Sequence, residues 1–355
     1  AVANLYIQKN VEEYFGNLER ILDEAGLATR PFITQSNGGI MDLRSAAAAP
    51  VKTLFSGPAA GVIGAIEACD GAARGNLLTF DMGGTSTDVS FVADGQPTFS
   101  SASELAGFPV VLPTIDIQSI GAGGGSIAWV DAGGLLKVGP ESAGSDPGPA
   151  CYGKSTLPTL TDAFLTCGYL NPANFAAGRM ALDADRSNAA IAPVAAQIGK
   201  TVDETADAMV QVAAASMYAE LSGIMEQKGF DPRDMYVVAY GGGGPVMANI
   251  VAEEIHARGV LVPRRPGTLC AQGALSADFV YDATSNVQLF LDESTPDQVE
   301  RELANLEGQA RDWLASQNAA VLEGAPVRIS FFADAHYDGQ AYQLPIAVDR
   351  NALRT

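Results

Sequence analysis

The chain has 355 residues, 21 Lys and Arg against 41 Asp and Glu for a formal charge of −20, and 47% apolar residues. That length holds about two domains with a large core. Its acidic field repels phosphodiester backbones and anionic lipid, which excludes a general nucleic-acid or membrane-surface binder. Cys69, Cys151, Cys167 and Cys270 form no CxxC pair, and His256 and His336 are the only histidines, so a multi-histidine zinc site is excluded. The thiols are read as reduced, which points to a cytoplasmic protein. No apolar run reaches the ~18 residues of a membrane span. The first residue is Ala1 and not Met, which points to a start further upstream.

In chain order, Asn10 is expected to cap a helix with Val11, Tyr14, Phe15, Leu18, Leu22 and Ala25 on its apolar face and Gly26 as its stop. Phe32 to Thr34 is a short apolar segment running into the turn residues Ser36 to Gly39. The small residues of Ser56 to Ala65 suit a helix packed closely on another backbone.

Leu77 to Val92 carries the densest signal. An apolar run ends in Asp81, Gly83 and Gly84 make a tight turn with Thr85, Ser86 and Thr87, and a second strand leaves through Asp88 with Val89 and Phe91 on one face. Glycines at such a tip let backbone amides approach an anion, Thr85 and Thr87 add hydroxyls, and Asp81 can hold a hydrated magnesium ion. An ordinary Gly-Gly hairpin is the plain alternative, but it has no use for two aspartates flanking the turn.

Ile120 to Ser126 is a second glycine run, with Gly123 and Gly124 as candidate ligand-binding positions. Glu141 to Gly153 is a long loop of turn residues, and loops of that length often line sites. Asp116, Asp162 and Glu104 are candidate site carboxylates, with a helix cap the equal alternative for Asp162. Thr201-Val202-Asp203-Glu204 is a capping box that opens a long amphipathic helix closed by Gly229. Tyr236 to Tyr240 reads as a buried strand leading into Gly241, Gly242, Gly243 and Gly244, with Pro245 opening the next helix. Strand, glycine loop and helix N-terminus together make an anion cradle. Val260 to Pro263 is a further strand, and Pro266 to Thr268 begins another turn before Ala271 to Asp278. At the C-terminal end a helix starts at Thr295 with Val299, Leu303, Leu306, Ala310 and Trp313 inward, followed by strands at Val327–Phe332 and Ala341–Ile346.

In their order, Ser56 to Ala65, Asn76 to Phe91 and Ala239 to Glu254 resemble the connecting helix, phosphate hairpin and adenosine loop of the actin-like ATPase superfamily. The chain more closely resembles the hydantoinase A and oxoprolinase family, through Gln35-Ser36-Asn37-Gly38-Gly39, Ser56-Gly57-Pro58-Ala59-Ala60-Gly61, Phe80 to Asp88, Gly121 to Ser126, Asp146 to Gly153 and Asp338-Gly339-Gln340. The resemblance implies an α/β chain with part of a duplicated, ribonuclease-H-like core over residues 1–285 and the start of a C-terminal α+β domain over 286–355. It implies ATP and Mg2+ as cofactors, with Asp81 organising the metal and Asp88 ordering the hairpin or the metal's waters. Gly83, Gly84, Thr85 and Thr87 would then contact phosphates, and Gly241 to Gly244 would border the adenosine. The implied activity is ATP-dependent opening of a cyclic amide such as a hydantoin or oxoproline, in an oligomer with a hydantoinase-B-like subunit or domain. ATP-dependent ketone carboxylation is the alternative within enzymes, and a non-catalytic nucleotide switch the alternative outside them. Three departures stand out. Gln118 and Met247 replace histidines usual in the family, and its opening Asp-Gly-Gly-Thr hairpin is expected upstream of Ala1.

Overall fold

The computed structural model describes residues 2–27, 31–69, 75–100, 103–105, 108–110, 112–287, 289–290, 295–317, 326–340 and 344–353. The chain divides into two compact units, Ala1–Asp278 and Phe279–Thr355.

The first unit is built on a six-stranded mixed sheet, five strands of which form its main path while the two-residue strand Gln96–Pro97 pairs off that path. The main-path strands are β3 (Asn76–Met82), β4 (Thr87–Ala93), β5 (Ile117–Ile120), β8 (Met235–Tyr240) and β9 (Gly259–Leu261), in the spatial order β5-β4-β3-β8-β9. The first three form an antiparallel meander, and β3, β8 and β9 run parallel. Numbered as first to fifth, the order is third-second-first-fourth-fifth, that of the expected ribonuclease-H-like core. A short hairpin of β1 (Phe32–Thr34) and β2 (Ile40–Asp42) stands apart, as does the antiparallel pair β6 (Ser126–Val130) and β7 (Leu136–Ser142).

Period-two alternation assigns the two faces of this sheet. Leu78, Phe80 and Met82 of β3 with Val89 and Phe91 of β4 point to one side and are fully buried. They pack on α6 (Val202–Lys228) and α7 (Gly244–Glu254), from which Met209, Met217, Met247 and Val251 are fully buried. Phe91 also stacks on Phe230 at 4.7 Å between ring centroids. Each such side chain contributes about 1.5–3 kcal/mol by leaving water. Leu77, Val92, Val238 and Tyr240 point to the opposite side, under α3 (Ser56–Ala68) and α8 (Leu269–Ser276). Asp81 and Asp88 share that second face by the same parity. Helices α3 and α8 cross almost backbone to backbone: a Cβ on Gly273 would lie 1.9 Å from the Ala60 carbonyl oxygen, and one on Gly64 2.7 Å from that of Leu269. The small residues of Ser56 to Ala65 serve this crossing.

The capping box at Thr201 forms as expected, with Thr201 and Glu204 bonding reciprocally, and Gly229 closes α6 in the left-handed conformation. Two boundaries differ from expectation. Helix α1 spans Val2–Glu24, starting eight residues ahead of Asn10, because no Gly or Pro interrupts Val2 to Lys9. Only its Phe15 is buried, against Met41 and against Leu43 and Ala46 of α2 (Leu43–Ala48). In the second unit α9 spans Thr295–Ser316, with Leu303 buried and Trp313 stacked on Tyr281. Strand β10 there is Phe332–Ala335, five residues later than expected, and pairs antiparallel with β11 (Leu344–Ala347). The expected strand start at Ala341–Gln343 lies outside the described residues. Arg350 forms ion pairs with Glu300 and Glu307 of α9.

Candidate functional site

Three glycine segments meet at one end of the sheet, where β3 and β8 finish. The turn joining β3 to β4 is closed by Gly83 N–H donating to Ser86 C=O at 2.9 Å. Gly83, Gly84 and Thr85 are exposed at its tip. Among the described residues, no backbone carbonyl accepts from the amides of Gly84 or Thr85. Two donors and a hydroxyl thus lie at the exposed tip of a turn whose own backbone is held.

The glycine run after β5 holds the turn from behind. Gly124 N–H donates to Gly83 C=O at 3.0 Å and Gly125 N–H to Gly84 C=O at 2.6 Å. A Cβ on Gly123 would sit 2.7 Å from the Ser86 nitrogen, so glycine is required for that contact. Gly123 and Gly124 are buried and support the tip from inside. Thr87 also differs from expectation. It is fully buried and its hydroxyl donates to Ala122 C=O at 2.6 Å, which ties the hairpin to the glycine run and leaves no hydroxyl proton for a phosphate.

The third segment, Gly241 to Gly244, turns from β8 into α7. Gly243 N–H donates to Met82 C=O at 2.9 Å and Gly241 N–H to Pro266 C=O at 3.2 Å. Gly241 has φ +78°, and a Cβ there would lie 2.4 Å from Asp81 Oδ1. Only glycine meets both demands. Gly242 is exposed, and Gly244 with Pro245 opens α7, whose N-terminal amides and dipole favour an anion.

The register of the hairpin sets Asp81 directly opposite Asp88, and Tyr240 lies opposite Asp81 on the other flank. Directly opposed residues of an antiparallel pair point to the same face, so the two carboxylates are neighbours beside the tip. Burial raises the Asp81 pKa above its ordinary value. A hydrogen bond from the Cys270 thiol opposes this, and the Asp88 charge adds to it. The thiol donates to Asp81 Oδ2 at 3.3 Å, and its own pKa is pushed up to about 12 by burial and by the Asp81 charge. Cys270 is the site residue that sequence reasoning missed. It is 189 positions from Asp81, and no local pattern marks it.

Two candidate carboxylates lie elsewhere. β5 runs toward the tip, Ile120 opposite Thr87 and Ile117 opposite Ser90, so Asp116 lies roughly 13 Å back along the strand. It is buried there, accepting from Gln118 Nε2 at 2.9 Å and ion-paired with Lys228 at the end of α6. Asp162 is fully buried in the first turn of α4 (Leu160–Thr166). Its carboxylate accepts from the amides of Ala150, Cys151 and Thr159 and from the hydroxyls of Thr159 and Ser187. Five donors saturate it, so it braces the loop before α4 and has no free lone pair for a ligand. The side chain of Glu104 falls outside the described residues. Of the two positions that depart from the family, Gln118 serves Asp116 and Met247 is core.

The sheet order and the glycine segments at the ends of its parallel strands define a mixed α/β fold of the actin-like ATPase class. Residues 1–283 match the hydantoinase/oxoprolinase family, and the chain belongs to that family. An uncharacterized protein of Methanocaldococcus jannaschii is 33% identical over 97% of this chain and 52% of its own length. The solved ATP-dependent caprolactamase of Pseudomonas jessenii superposes with a TM-score of 0.83 at 30% identity, over 99% of this chain and 52% of that one. The acetone carboxylase beta subunit of Xanthobacter autotrophicus is 33% identical over 69% of this chain and 35% of its own length. The chain thus spans about half the length, or less, of these relatives. Among the described residues no helix is long and apolar enough to cross a membrane.

Proposed function

We propose that this chain carries part of the nucleotide site of an ATP-dependent enzyme subunit that opens a cyclic amide of the hydantoin, oxoproline or caprolactam type. The observation that carries the reading is the exposed Gly83-Gly84-Thr85 tip, lying beside the opposed pair Asp81 and Asp88, with Met82 just before it accepting a hydrogen bond from Gly243 in the loop at the N-terminus of α7. Convergent backbone donors and a helix N-terminus suit phosphate oxygens.

The donors also fit magnesium. Mg2+ keeps several waters and takes one or two carboxylates plus phosphate oxygens, and Asp81 and Asp88 are two such carboxylates on one face. Among the described residues no group of three or more His, Cys, Asp or Glu side chains is placed to hold a metal directly, which agrees with a metal held largely through its waters. In this reading Asp81 and Asp88 orient those waters, the amides of Gly84 and Thr85 bind and orient the phosphates, and Gly241 to Gly244 border the nucleoside. Phosphoryl transfer from ATP to the amide oxygen, leaving ADP, would make the carbonyl carbon a better electrophile for water. The ring C–N bond would then break with the nitrogen taking a proton, and a second water would release phosphate from the acyl phosphate, so that ATP hydrolysis drives an unfavourable ring opening.

Ketone carboxylation is the second reading, favoured by equal identity to the caprolactamase alpha subunit and the acetone carboxylase beta subunit, 33% in each case. Both relatives are named as subunits, which supports a partner subunit here, and we propose one of hydantoinase-B type. The four free thiols suit a cytoplasmic location. The test is phosphate release from ATP and magnesium by the full-length protein with its partner subunit. Oxoproline, a hydantoin, caprolactam, and acetone with bicarbonate are compared with no addition. Stimulation by a cyclic amide is the expected result. Stimulation only by ketone and bicarbonate would move the assignment to carboxylation, and equal release under every condition would favour a nucleotide switch.

A further inference from the structure

We infer that Cys270 is a positioning residue for the metal-binding carboxylate: its thiol anchors Oδ2 of Asp81 and leaves Oδ1 as the oxygen presented to the hydrated cation. The inference rests on the nucleotide-site reading above and adds to it a residue from a different part of the chain.

Three observations place the thiol there for a reason other than filling space. The first is the hydrogen bond of 3.3 Å from Sγ to Oδ2, a donor on a carboxylate that also faces the charge of Asp88 across the hairpin. The second is the fixation of the helix that carries the thiol. Gly64 and Gly273 bring α3 and α8 into backbone contact, and a Cβ on Gly61 would lie 3.0 Å from Cys270 Sγ and 2.8 Å from the Tyr240 ring. The absence of a side chain at Gly61 therefore creates the room that the thiol occupies, and the crossing leaves α8 little freedom to shift. The third is the other side of the carboxylate. Asp81 Oδ1 lies where a side chain on Gly241 would be, so the bare backbone of the glycine loop leaves room for that oxygen while the thiol fixes the other. A ligand oxygen fixed in this way is preorganised, and metal affinity then depends on the residue that does the fixing.

The thiol acts as a neutral donor.

The test compares Cys270→Ala and Cys270→Ser with the wild type in the full-length protein. ATP binding is followed by titration calorimetry across a range of Mg2+ concentrations, ATP hydrolysis is measured alongside, and the melting temperature without Mg2+ reports the fold. Removing one donor from a carboxylate ligand is expected to raise the Mg2+ concentration for half-maximal ATP binding about fivefold, with the same shift in the Mg2+ dependence of hydrolysis. Serine, which donates from nearly the same place, is expected to return it to within about twofold of wild type. An alanine variant with wild-type Mg2+ dependence overturns the inference. So does a serine variant as impaired as alanine, because packing rather than donation is then at work. Those results leave the nucleotide-site reading standing, whereas a wild-type protein that binds no ATP at any Mg2+ concentration removes both.

Discussion

Replacing Gly84 with valine separates binding from folding at the hairpin tip. A Cβ at Gly84 meets no heavy atom within 4 Å and its backbone is not left-handed, so the fold is expected to change by no more than about 0.5 kcal/mol, as at other open surface positions. The isopropyl group nevertheless stands where a phosphate oxygen must approach the amides of Gly84 and Thr85. A hydrogen bond to a charged group is worth about 1.5–3 kcal/mol, so losing one weakens ATP binding about 10- to 150-fold. Gly241→Ala is the internal contrast. Its φ of +78° and the 2.4 Å approach to Asp81 Oδ1 add a steric clash to about 1–2 kcal/mol of backbone strain, so that variant is expected to lose stability as well as binding. Calorimetric ATP titration and thermal melting of both variants provide the readout. A Gly84→Val protein that melts normally and binds ATP within twofold of wild type refutes the tip as the phosphate site.

Asp81→Asn is expected to weaken magnesium-dependent turnover while stabilising the metal-free protein. The sign follows from burial, which raises the folded pKa of Asp81 above its ordinary 3.8. Its contribution is then fully present below the unfolded value and lost as pH rises through the folded value. Wild type should therefore melt below the asparagine variant at neutral pH, with the gap closing as pH falls toward 4, and a constant gap would contradict this. Asp162→Ala leaves the amides of Ala150, Cys151 and Thr159 without their buried acceptor, at a cost of about 3 kcal/mol or more in urea unfolding. Its ATP affinity per folded molecule should stay at the wild-type value, and a selective loss of affinity would place it in the site after all. Gly273→Ala puts a Cβ 1.9 Å from the Ala60 carbonyl oxygen, and forcing α3 and α8 apart should cost about 3 kcal/mol. An unchanged melting temperature would show that the crossing is looser than its geometry.

Features encoded over a few neighbouring residues were legible in the sequence. The alternation of Leu78, Phe80, Val89 and Phe91 around a Gly-Gly turn predicts the hairpin, and Thr201 with Glu204 predicts the start of α6, because turn chemistry and capping are local. The site carboxylates divide on the same ground. Asp81 and Asp88 flank one turn, so their register was readable, whereas the place of Asp116 depends on the direction in which β5 pairs with β4. Asp162 was equally readable as a cap or a ligand until the loop at Ala150 and the hydroxyl of Ser187 were seen to fill its lone pairs. Thr87 looked like its neighbour Thr85, and only the approach of Ala122 from the next glycine run sends its hydroxyl inward. Cys270 reaches Asp81 through the crossing of two helices distant in sequence, which no window along the chain contains.

Hydrogen exchange of the intact protein with and without ATP and magnesium tests the central claim most directly. Among the described residues the amides of Gly84, Thr85 and Gly242 have no backbone acceptor, so they should exchange quickly in the free protein and slow markedly when phosphates bind. Peptides covering residues 83–86 and 241–244 are therefore expected to gain protection together, with the Asp116 end of β5 unchanged. Bound ATP that leaves both segments exchanging at their free rates, or that protects a different part of the chain alone, would contradict the assignment of the hairpin tip and glycine loop as the nucleotide site.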